Sequence, residues 1–258
     1  MSIWLEITTT IKCPNICQYC PNDQFVETYN SNILQLSFSN FKLVIDKIPD
    51  NSIICFSGFA EPATNKNLSD MIIYAHSKNH KVLLLTTLMG WSIDEYDKVK
   101  DILTSLNIHL PDNNKKTIIN INKSYLDLLI HIILNPPKSL MFNHHDGDIH
   151  DDIQHIIPNS TLLNIHDRSG LINEGIKTNV VNANYCKHAF LFYYEDGAGV
   201  LLPDGRVVSC CNDFRLQNIW GNLFEQSWDD IKANIHATDL CKKCICGSYK
   251  ESLEGNQR

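Results

Sequence analysis

The chain has 258 residues, of which 43% are hydrophobic and 20% are charged, and its formal net charge is −7. This composition is typical of a globular protein, and the acidic balance gives no electrostatic reason to expect a nucleic-acid partner, because phosphate binding requires a basic face. The N-terminus has no signal-peptide pattern, and apolar stretches such as Leu128–Leu134 are too short to span a bilayer. We therefore expect a cytoplasmic protein with no membrane partner.

Strand-like and helix-like segments alternate along the first two thirds of the chain. Apolar runs typical of strands occupy Ile3–Thr9, Ser52–Ser57, Lys81–Thr87, Leu106–Leu110, Leu140–His144 and Thr161–His166. Amphipathic patterns typical of helices occupy Phe38–Ile48, Asn67–Ser77, Ser92–Leu103, Lys123–Leu134 and His150–Ile157, with N-caps predicted at Ser39, Asn67 and Ser92. This alternation predicts an α/β fold with a parallel sheet. Because a complete barrel has eight such units, we expect a partial (β/α)6 barrel.

The character of the sequence changes near Gly170. The segment Gly199–Cys211 predicts two short strands around a Pro203-Asp204-Gly205 turn. Trp228–Ile235 predicts a helix, and a cysteine-rich tail follows it. We therefore expect a barrel domain over residues 1–175 and a smaller module over residues 176–258.

The cysteines are unevenly distributed. Of the 10 in the chain, only Cys55 lies outside two terminal groups, whose members are Cys13, Cys17 and Cys20 and then Cys186, Cys210, Cys211, Cys241, Cys244 and Cys246. In a reducing cytoplasm, cysteines grouped in this way are expected to be metal ligands rather than disulfides.

The first group has the spacing C-x3-C-x2-C and directly follows the first predicted strand. The carboxyl ends of strands are where α/β folds build their active sites. A 4Fe–4S cluster usually takes one thiolate per iron, so three thiolates would leave one iron open to a small molecule. The alternative is a zinc site, which favours paired C-x2-C elements and four ligands, and no fourth ligand lies nearby in the sequence.

With Tyr19 before its last cysteine, this motif resembles the C-x3-C-x-aromatic-C signature of the radical S-adenosylmethionine (SAM) superfamily. Two further segments come in the order typical of that superfamily. Ser57-Gly58-Phe59-Ala60-Glu61-Pro62 is similar to its glycine–glutamate motif, and Thr86-Thr87-Leu88-Met89-Gly90 is similar to a stretch that usually ends in Thr-Asn-Gly. The resemblance covers residues 3–170.

The resemblance implies an enzyme whose cofactors are SAM and a catalytic 4Fe–4S cluster bound by Cys13, Cys17 and Cys20. A 5′-deoxyadenosyl radical formed from SAM would abstract hydrogen from an unactivated C–H bond. An external one-electron donor such as flavodoxin or ferredoxin would reduce the cluster. The implied cofactor-binding residues are Tyr19, Gly58, Glu61, Thr87 and His109. Among these, Glu61 would orient the SAM amino group, and His109 would approach the ribose or act only as a capping polar residue.

A second set of motifs resembles the auxiliary-cluster modules called SPASM and twitch. Its parts are Gly205-x4-Cys210, Gly221-Asn222, Trp228 and Cys241-x2-Cys244. The resemblance implies one auxiliary 4Fe–4S cluster, in a twitch-like module, because too few cysteines remain for two clusters. Its implied ligands are Cys186, Cys210, Cys241 and Cys244, with Cys211 and Cys246 as alternatives. A structural zinc ribbon is the alternative for the whole region.

Arg168 follows the sixth predicted strand, in a segment similar to one common in enzymes with two clusters. The resemblance implies that this side chain contacts the substrate or the SAM carboxylate, which a guanidinium suits, and the alternative is a salt bridge between domains. His144, His145 and Asp146 predict a substrate-facing polar loop rather than a separate metal site.

Three other residues have a functional and a structural interpretation. Cys55 is a candidate hydrogen donor to a substrate radical, although a buried, small apolar role is the simpler interpretation. Glu195 and Asp196 are candidate general bases, and a solvated loop is the alternative.

The architecture favours two-electron oxidation of a small sugar- or cyclitol-like substrate, by analogy with an aminocyclitol dehydrogenase of aminoglycoside biosynthesis. The first alternative is the maturation of a peptide or protein substrate by crosslinking, epimerisation or side-chain oxidation. The second is methyl transfer or rearrangement on a small metabolite. The non-enzyme alternative is an iron–sulfur electron-transfer protein, but such a relay needs no open iron.

Overall fold

The computed structural model describes residues 2–145, 147–163, 165, 167–172, 198–236 and 238–240, together with the backbone of residues 185–186 and 247–248. Several residues singled out from the sequence lie outside the described residues: Asp146, His166, Glu195, Asp196, Cys241, Cys244 and Cys246. Among the described residues, no helix combines the length and the apolar character that crossing a membrane requires.

The described strands are β1 (Trp4–Ile7), β2 (Ile16–Cys17), β3 (Ile53–Phe56), β4 (Lys81–Thr86), β5 (Ser105–His109), β6 (Thr117–Ile118), β7 (Leu140–His145), β8 (Thr161–Leu163), β9 (Tyr185–Cys186), β10 (Ala198–Leu201), β11 (Arg206–Val208), β12 (Ile219–Asn222) and β13 (Gly247–Ser248). The described helices are α1 (Asn22–Thr28), α2 (Phe38–Ile45), α3 (Leu68–Ser77), α4 (Ile93–Asp97), α5 (Lys123–Leu134), α6 (Asp151–Gln154) and α7 (Trp228–Lys232), with a short 3-10 helix at Pro62–Thr64.

One sheet contains nine of these strands, in the order β12-β11-β10-β1-β3-β4-β5-β7-β8. The run from β1 to β8 is parallel throughout. Its six strands are those predicted from the sequence, and helices connect most of them. The predicted partial (β/α)6 barrel is therefore confirmed. Four of the strands are shorter than their apolar runs, whereas β7 is one residue longer and β5 begins and ends one residue earlier.

The helices pack their apolar faces against the strands. Phe41, Val44 and Ile45 of α2 and Leu129 and Ile132 of α5 are almost fully buried in the same core as the strand residues. Burial of such side chains is the main favourable contribution to folding.

The helix limits differ in part from prediction. Helix α5 has the predicted bounds, but α4 and α6 are shorter than their amphipathic patterns. The predicted cap at Ser39 is wrong: Ser37 caps α2 by accepting a hydrogen bond from the Asn40 backbone N–H at 3.1 Å, and Ser39 lies in the first turn. Ser92 caps α4 as predicted, whereas Asn67 occupies the N-cap position of α3 without a capping side-chain bond.

Residues 198–222 extend the main sheet. β10 and β11 form an antiparallel hairpin around the predicted turn, and β12 pairs with β11. β10 also pairs in parallel with β1, with Leu5 opposite Gly199. Lys47 strengthens the connection, because its Nζ donates to the carbonyls of Leu223, Phe224 and Gln226. The C-terminal hairpin is therefore built onto the edge of the barrel sheet.

Candidate active site

A cavity of about 270 Å³ opens at the carboxyl ends of the parallel strands. Seven of the residues predicted to bind the catalytic cluster, SAM or the substrate line it: Cys13, Cys20, Gly58, Glu61, Thr87, His109 and Arg168. They come from the loops or ends of β1, β3, β4, β5 and β8, so residues far apart in the sequence converge on one space. Cys17 and Tyr19, also predicted, do not line the cavity.

Glu61 links two strand ends through its carboxylate. Oε1 accepts hydrogen bonds from the Ala63 backbone N–H at 3.0 Å and the Thr86 hydroxyl at 2.5 Å. Oε2 accepts from the backbone N–H and the hydroxyl of Thr87, both at 2.7 Å. Burial raises the pKa of this carboxyl, and the hydrogen bonds oppose that shift. Each oxygen therefore already has two protein donors, so Glu61 holds the β3 and β4 loops together.

Asn15 connects the cysteine loop to the same network. Its Nδ2 donates to the Thr87 hydroxyl at 2.8 Å. Its Oδ1 is buried and has no hydrogen-bond partner, and the residue lines the cavity. A buried acceptor without a donor is costly unless a ligand satisfies it. Asn15 therefore fits a ligand that brings an N–H or O–H donor into the cavity.

Tyr19 supports the cysteine loop from a position outside the cavity lining. Its hydroxyl contacts the Thr117 hydroxyl at 2.7 Å and hydrogen-bonds to the Cys17 thiol. Its ring lies 4.1 Å from the ring of His145, which in turn stacks at 5.5 Å on His109. Burial lowers the pKa of both imidazoles to about 4, so they are neutral at physiological pH. Tyr19 thus orders the loop instead of facing the cavity.

Arg168 reaches the cavity from an unusual backbone turn. Arg168 and Ser169 have φ values of 49° and 59°, and Gly170 follows with 83°. Such left-handed conformations cost L-residues roughly 1–2 kcal/mol each. The Gly170 and Leu171 N–H groups both donate to the Asp167 carbonyl at 3.0 Å, which closes the turn. Strain of this kind is typical of functional sites, and here it places the guanidinium at the cavity, where Nη1 donates to Asn212 Oδ1 at 3.3 Å.

Glu6 is a cavity residue that the sequence analysis missed. Leu5 and Ile7, on either side of it in β1, are fully buried, and Glu6 projects from the opposite face into the cavity. Ser57 Oγ donates to its Oε2 at 3.3 Å. Burial raises the pKa of Glu6 to about 7, although the Ser57 bond and the charge of Arg168 act against the shift. A charged residue within an apolar strand was the available sequence signal.

The fold is similar to those of several solved structures. BtrN in complex with AdoMet (SAM) and 2-DOIA has a TM-score of 0.62 at 14% identity, over 93% of this chain and 84% of that one. Native anSMEcpe with bound AdoMet has a TM-score of 0.61 at 10% identity, over 94% and 86%. Streptococcus suis SuiB bound to the precursor peptide SuiA has a TM-score of 0.62 at 12% identity, over 96% and 72%.

The chain has the radical SAM fold. The resemblance seen in the sequence motifs is thereby supported by the three-dimensional structure. No family model matches the sequence, and no curated protein matches it closely.

Within this radical SAM fold, the three loop thiols are suited to an iron–sulfur cluster. Burial raises the pKa of Cys13 to about 11 and that of Cys17 to about 12, and neighbouring thiolates and Glu61 add to both shifts. The pKa of Cys20 is also raised, again chiefly by burial. Bound iron would be ligated by the thiolate forms of these groups, and its positive charge would stabilise thiolates that burial otherwise disfavours.

The described residues contain no group of three His, Cys, Asp or Glu side chains arranged to hold a single metal ion. This finding is compatible with a cluster, because each thiolate of a 4Fe–4S site binds a different iron. The soft donor set and the adjoining cavity therefore fit the predicted group.

Cys210 and Cys211 occupy different surroundings. Cys211 lines the cavity beside Glu6 and Arg168. Cys210 does not line it, and its Sγ accepts a hydrogen bond from the Asn212 backbone N–H at 3.3 Å. In β9, Cys186 pairs with Gly247 of β13, the residue that follows Cys246 in the sequence. The auxiliary quartet stays a prediction, since Cys241 and Cys244 lie outside the described residues.

The structure also tests the predictions made for two histidines near the end of β7 and for Cys55. His144 and His145 were expected in a polar loop, but this is wrong: they belong to β7 and are largely buried, because the strand continues through both. Cys55 is 1% exposed, its Sγ lies 3.6 Å from Ser57 Oγ, and it does not line the cavity. Its surroundings are those of a small buried residue.

Proposed function

We propose that this protein is a radical SAM enzyme that oxidises a small polar substrate by two electrons. The observation that supports this function best is the convergence of Cys13, Cys20, Glu61, His109 and Arg168 on one cavity at the carboxyl ends of the strands. Glu61 and Thr87 hold the loop geometry, and the unpartnered Asn15 Oδ1 offers an acceptor to AdoMet or the substrate.

The thiols of Cys13, Cys17 and Cys20 would hold the catalytic cluster, and Cys186, Cys210, Cys241 and Cys244 would hold the auxiliary one. Once bound, the catalytic cluster and AdoMet would supply the radical chemistry of hydrogen abstraction, and the auxiliary cluster would supply an acceptor for one electron. The protein's task is to orient the substrate and exclude water.

Glu6 and Arg168 are the side chains that give the cavity its substrate preference. The Glu6 carboxylate accepts a hydrogen bond from a substrate hydroxyl or ammonium group, and Arg168 donates to an oxygen. When an alcohol carbon has lost a hydrogen atom, its hydroxyl must still lose a proton and an electron to become a carbonyl. Glu6 is placed to take that proton, because its pKa of about 7 suits a general base at neutral pH.

The test is anaerobic reconstitution with iron and sulfide, followed by incubation with AdoMet and dithionite. We expect release of 5′-deoxyadenosine, and we expect none from a variant in which Cys13, Cys17 and Cys20 are all alanine. Cleavage by that triple variant would disprove the assignment. The compound 2-DOIA, found with BtrN, is the first substrate to try; substrate-dependent deoxyadenosine formation should be lost in Arg168→Ala, while AdoMet cleavage without substrate persists.

Peptide maturation is the second candidate, and a specific similarity favours it. SuiB was solved with its precursor peptide, and its TM-score equals that of BtrN. Mass spectrometry of reactions with short synthetic peptides would separate the two functions. A peptide product that lost two hydrogens, formed without any turnover of 2-DOIA, would favour maturation over oxidation of a small substrate.

A further inference from the structure

The Tyr19 hydroxyl meets one side chain from each strand of the ribbon formed by β2 and β6. It lies 2.7 Å from the Thr117 hydroxyl and hydrogen-bonds to the Cys17 thiol. Cys17 of β2 and Thr117 of β6 are directly opposite each other in this antiparallel ribbon, and residues paired in this way have their side chains on the same face. The phenol oxygen therefore bridges the two strands at a predicted ligand of the catalytic cluster.

The backbone around Cys17 brings Tyr19 back onto the ribbon. The Cys20 N–H donates to the Cys17 carbonyl at 3.0 Å, which closes a tight turn. Within this turn, the Gln18 N–H donates to the Lys116 carbonyl at 3.0 Å and so extends the pairing with β6. Tyr19 is only 8% exposed, so little water competes for its hydrogen bonds.

Thr117 and the Tyr19 ring are each held by further contacts. Asp112 is buried, and its two carboxylate oxygens accept from the backbone N–H groups of Lys116 at 2.9 Å and of Thr117 at 2.7 Å. The ring of His145, in β7, lies 4.1 Å from the Tyr19 ring. The phenol is therefore held in one position, as a hydrogen-bond donor must be if it is to act on a neighbouring charge.

Ionisation of Cys17 fixes the direction of these hydrogen bonds. A thiolate sulfur can only accept, whereas a phenol is protonated at neutral pH and has one proton to donate. With Cys17 ionised as a cluster ligand, Tyr19 therefore donates to Sγ, and the phenol oxygen accepts from the Thr117 hydroxyl. In such a chain each bond polarises the next, which strengthens the bond that reaches the charge.

We propose that Tyr19 is a positioning residue that acts through Cys17 to raise the reduction potential of the catalytic cluster. The inference rests on the proposed function, because only a cluster at Cys13, Cys17 and Cys20 gives this hydrogen bond a redox effect. A reduced cluster carries one more negative charge, part of it on the ligand sulfurs, so a donor to Sγ stabilises the reduced state more than the oxidised state. Hydrogen bonds to the sulfurs are among the factors that set the potential of iron–sulfur clusters.

The test measures reduction potentials on the full chain after anaerobic reconstitution with iron and sulfide. In a redox titration followed by EPR, the catalytic cluster gives the signal that is missing from the variant in which Cys13, Cys17 and Cys20 are all alanine. Tyr19→Phe removes the hydroxyl and keeps the ring. Tyr125→Phe is the matched control, because Tyr125 is also buried and its hydroxyl has no hydrogen-bond partner among the described residues.

We expect the catalytic cluster of Tyr19→Phe to be about tenfold harder to reduce, which corresponds to a potential lower by about 59 mV for one electron. Its iron content should stay at the wild-type value, as should the potential of any signal that survives in the alanine triple variant. Tyr125→Phe should match the wild type throughout. Thr117→Val should also lower the potential, but by less, because it removes only the bond that supports the phenol.

An unchanged potential in Tyr19→Phe protein with its full iron content would overturn the inference and leave the proposed function intact. An equal shift in Tyr125→Phe would also overturn it, because the hydroxyl removed there bonds to none of the described residues. Should Tyr19→Phe lose iron, Thr117→Val decides, and an unchanged or higher potential in that variant would overturn the inference. If the alanine triple variant loses no signal, those cysteines bind no cluster and the proposed function itself fails.

Discussion

Asn15 donates a hydrogen bond to the Thr87 hydroxyl at 2.8 Å, and that hydroxyl donates onward to Glu61 Oε2 at 2.7 Å. One threonine oxygen thus joins the cysteine loop, which follows β1, to the carboxylate that organises the ends of β3 and β4. This chain of three side chains helps to fix the position of the loop.

Thr87→Val should loosen the cysteine loop, because valine keeps the shape and removes both hydrogen bonds. We expect a loss of about 1–3 kcal/mol in the free energy of unfolding, since the partly buried Asn15 amide loses its acceptor and Glu61 Oε2 loses one of its two donors. Iron release to a chelator should be faster than in the wild type. Thr161→Val, at an exposed position in β8, is the control, and equal effects of the two changes would contradict the prediction.

Gly58→Ala should disturb the lining of the cavity and destabilise the folded protein. Gly58 has a φ of 76°, and an added Cβ would lie 2.1 Å from Thr8 Oγ1. Gly170→Ala is a matched control, because its φ of 83° imposes similar strain but no atom lies within 4 Å of the added carbon. We expect the free energy of unfolding in urea to fall by about 1–3 kcal/mol more in Gly58→Ala than in Gly170→Ala. A similar loss in both variants would show that the contact with Thr8 is unimportant.

Glu6→Gln should stabilise the metal-free protein at high pH. The pKa of Glu6 is about 7 in the folded protein against 4.5 ordinarily, so folding takes up a proton between these values. Stability supplied by this group is therefore present at low pH and is lost as the pH rises from 4.5 through 7.

At pH 8, the free energy of unfolding in urea should be about 1–2 kcal/mol higher for Glu6→Gln than for the wild type. This figure is reduced because the cavity is open to solvent, which screens the charge. The difference should shrink as the pH falls and disappear well below pH 4.5, where wild-type Glu6 is neutral in both the folded and the unfolded state. Glu27→Gln, on the exposed side of α1, is the control. A difference that does not change with pH would show that the charge of Glu6 is not responsible.

Cys210→Ala and Cys211→Ala should differ in their iron content. Cys210 lies away from the cavity, as expected for an auxiliary ligand, whereas Cys211 lines the cavity. We expect Cys210→Ala to lose about four irons per chain, as for one 4Fe–4S cluster, and Cys211→Ala to keep its full content. The opposite pattern in iron analysis and Mössbauer spectra would make Cys211 the ligand.

The six parallel strands could be predicted because each is an apolar run followed by an amphipathic segment. The loop residues could be predicted from the motifs that carry them. The pairing of β10 with β1 could not, because short strands carry no local information about a partner nearly 200 residues away. Glu6 was missed because it lies in a strand, outside the loop motifs from which the site was predicted. Asn15 was missed because its role depends on a contact with Thr87, which is distant in the sequence. Beyond α4 the chain continues in turns in which the N–H groups of Ile102 and Leu103 both donate to the Val99 carbonyl, and the helical periodicity does not distinguish such turns from a regular helix.

The contact between β1 and β10 has a consequence for how the protein is made. β1 is synthesised nearly 200 residues before residues 198–201, which form one of its two neighbours in the sheet. Until then one side of β1 presents unpaired backbone groups, a state that invites pairing with other chains. Contacts so distant in sequence also slow folding. The yield of folded protein in the cell is therefore expected to depend on how long this edge of β1 stays unpaired, and on chaperones that cover it.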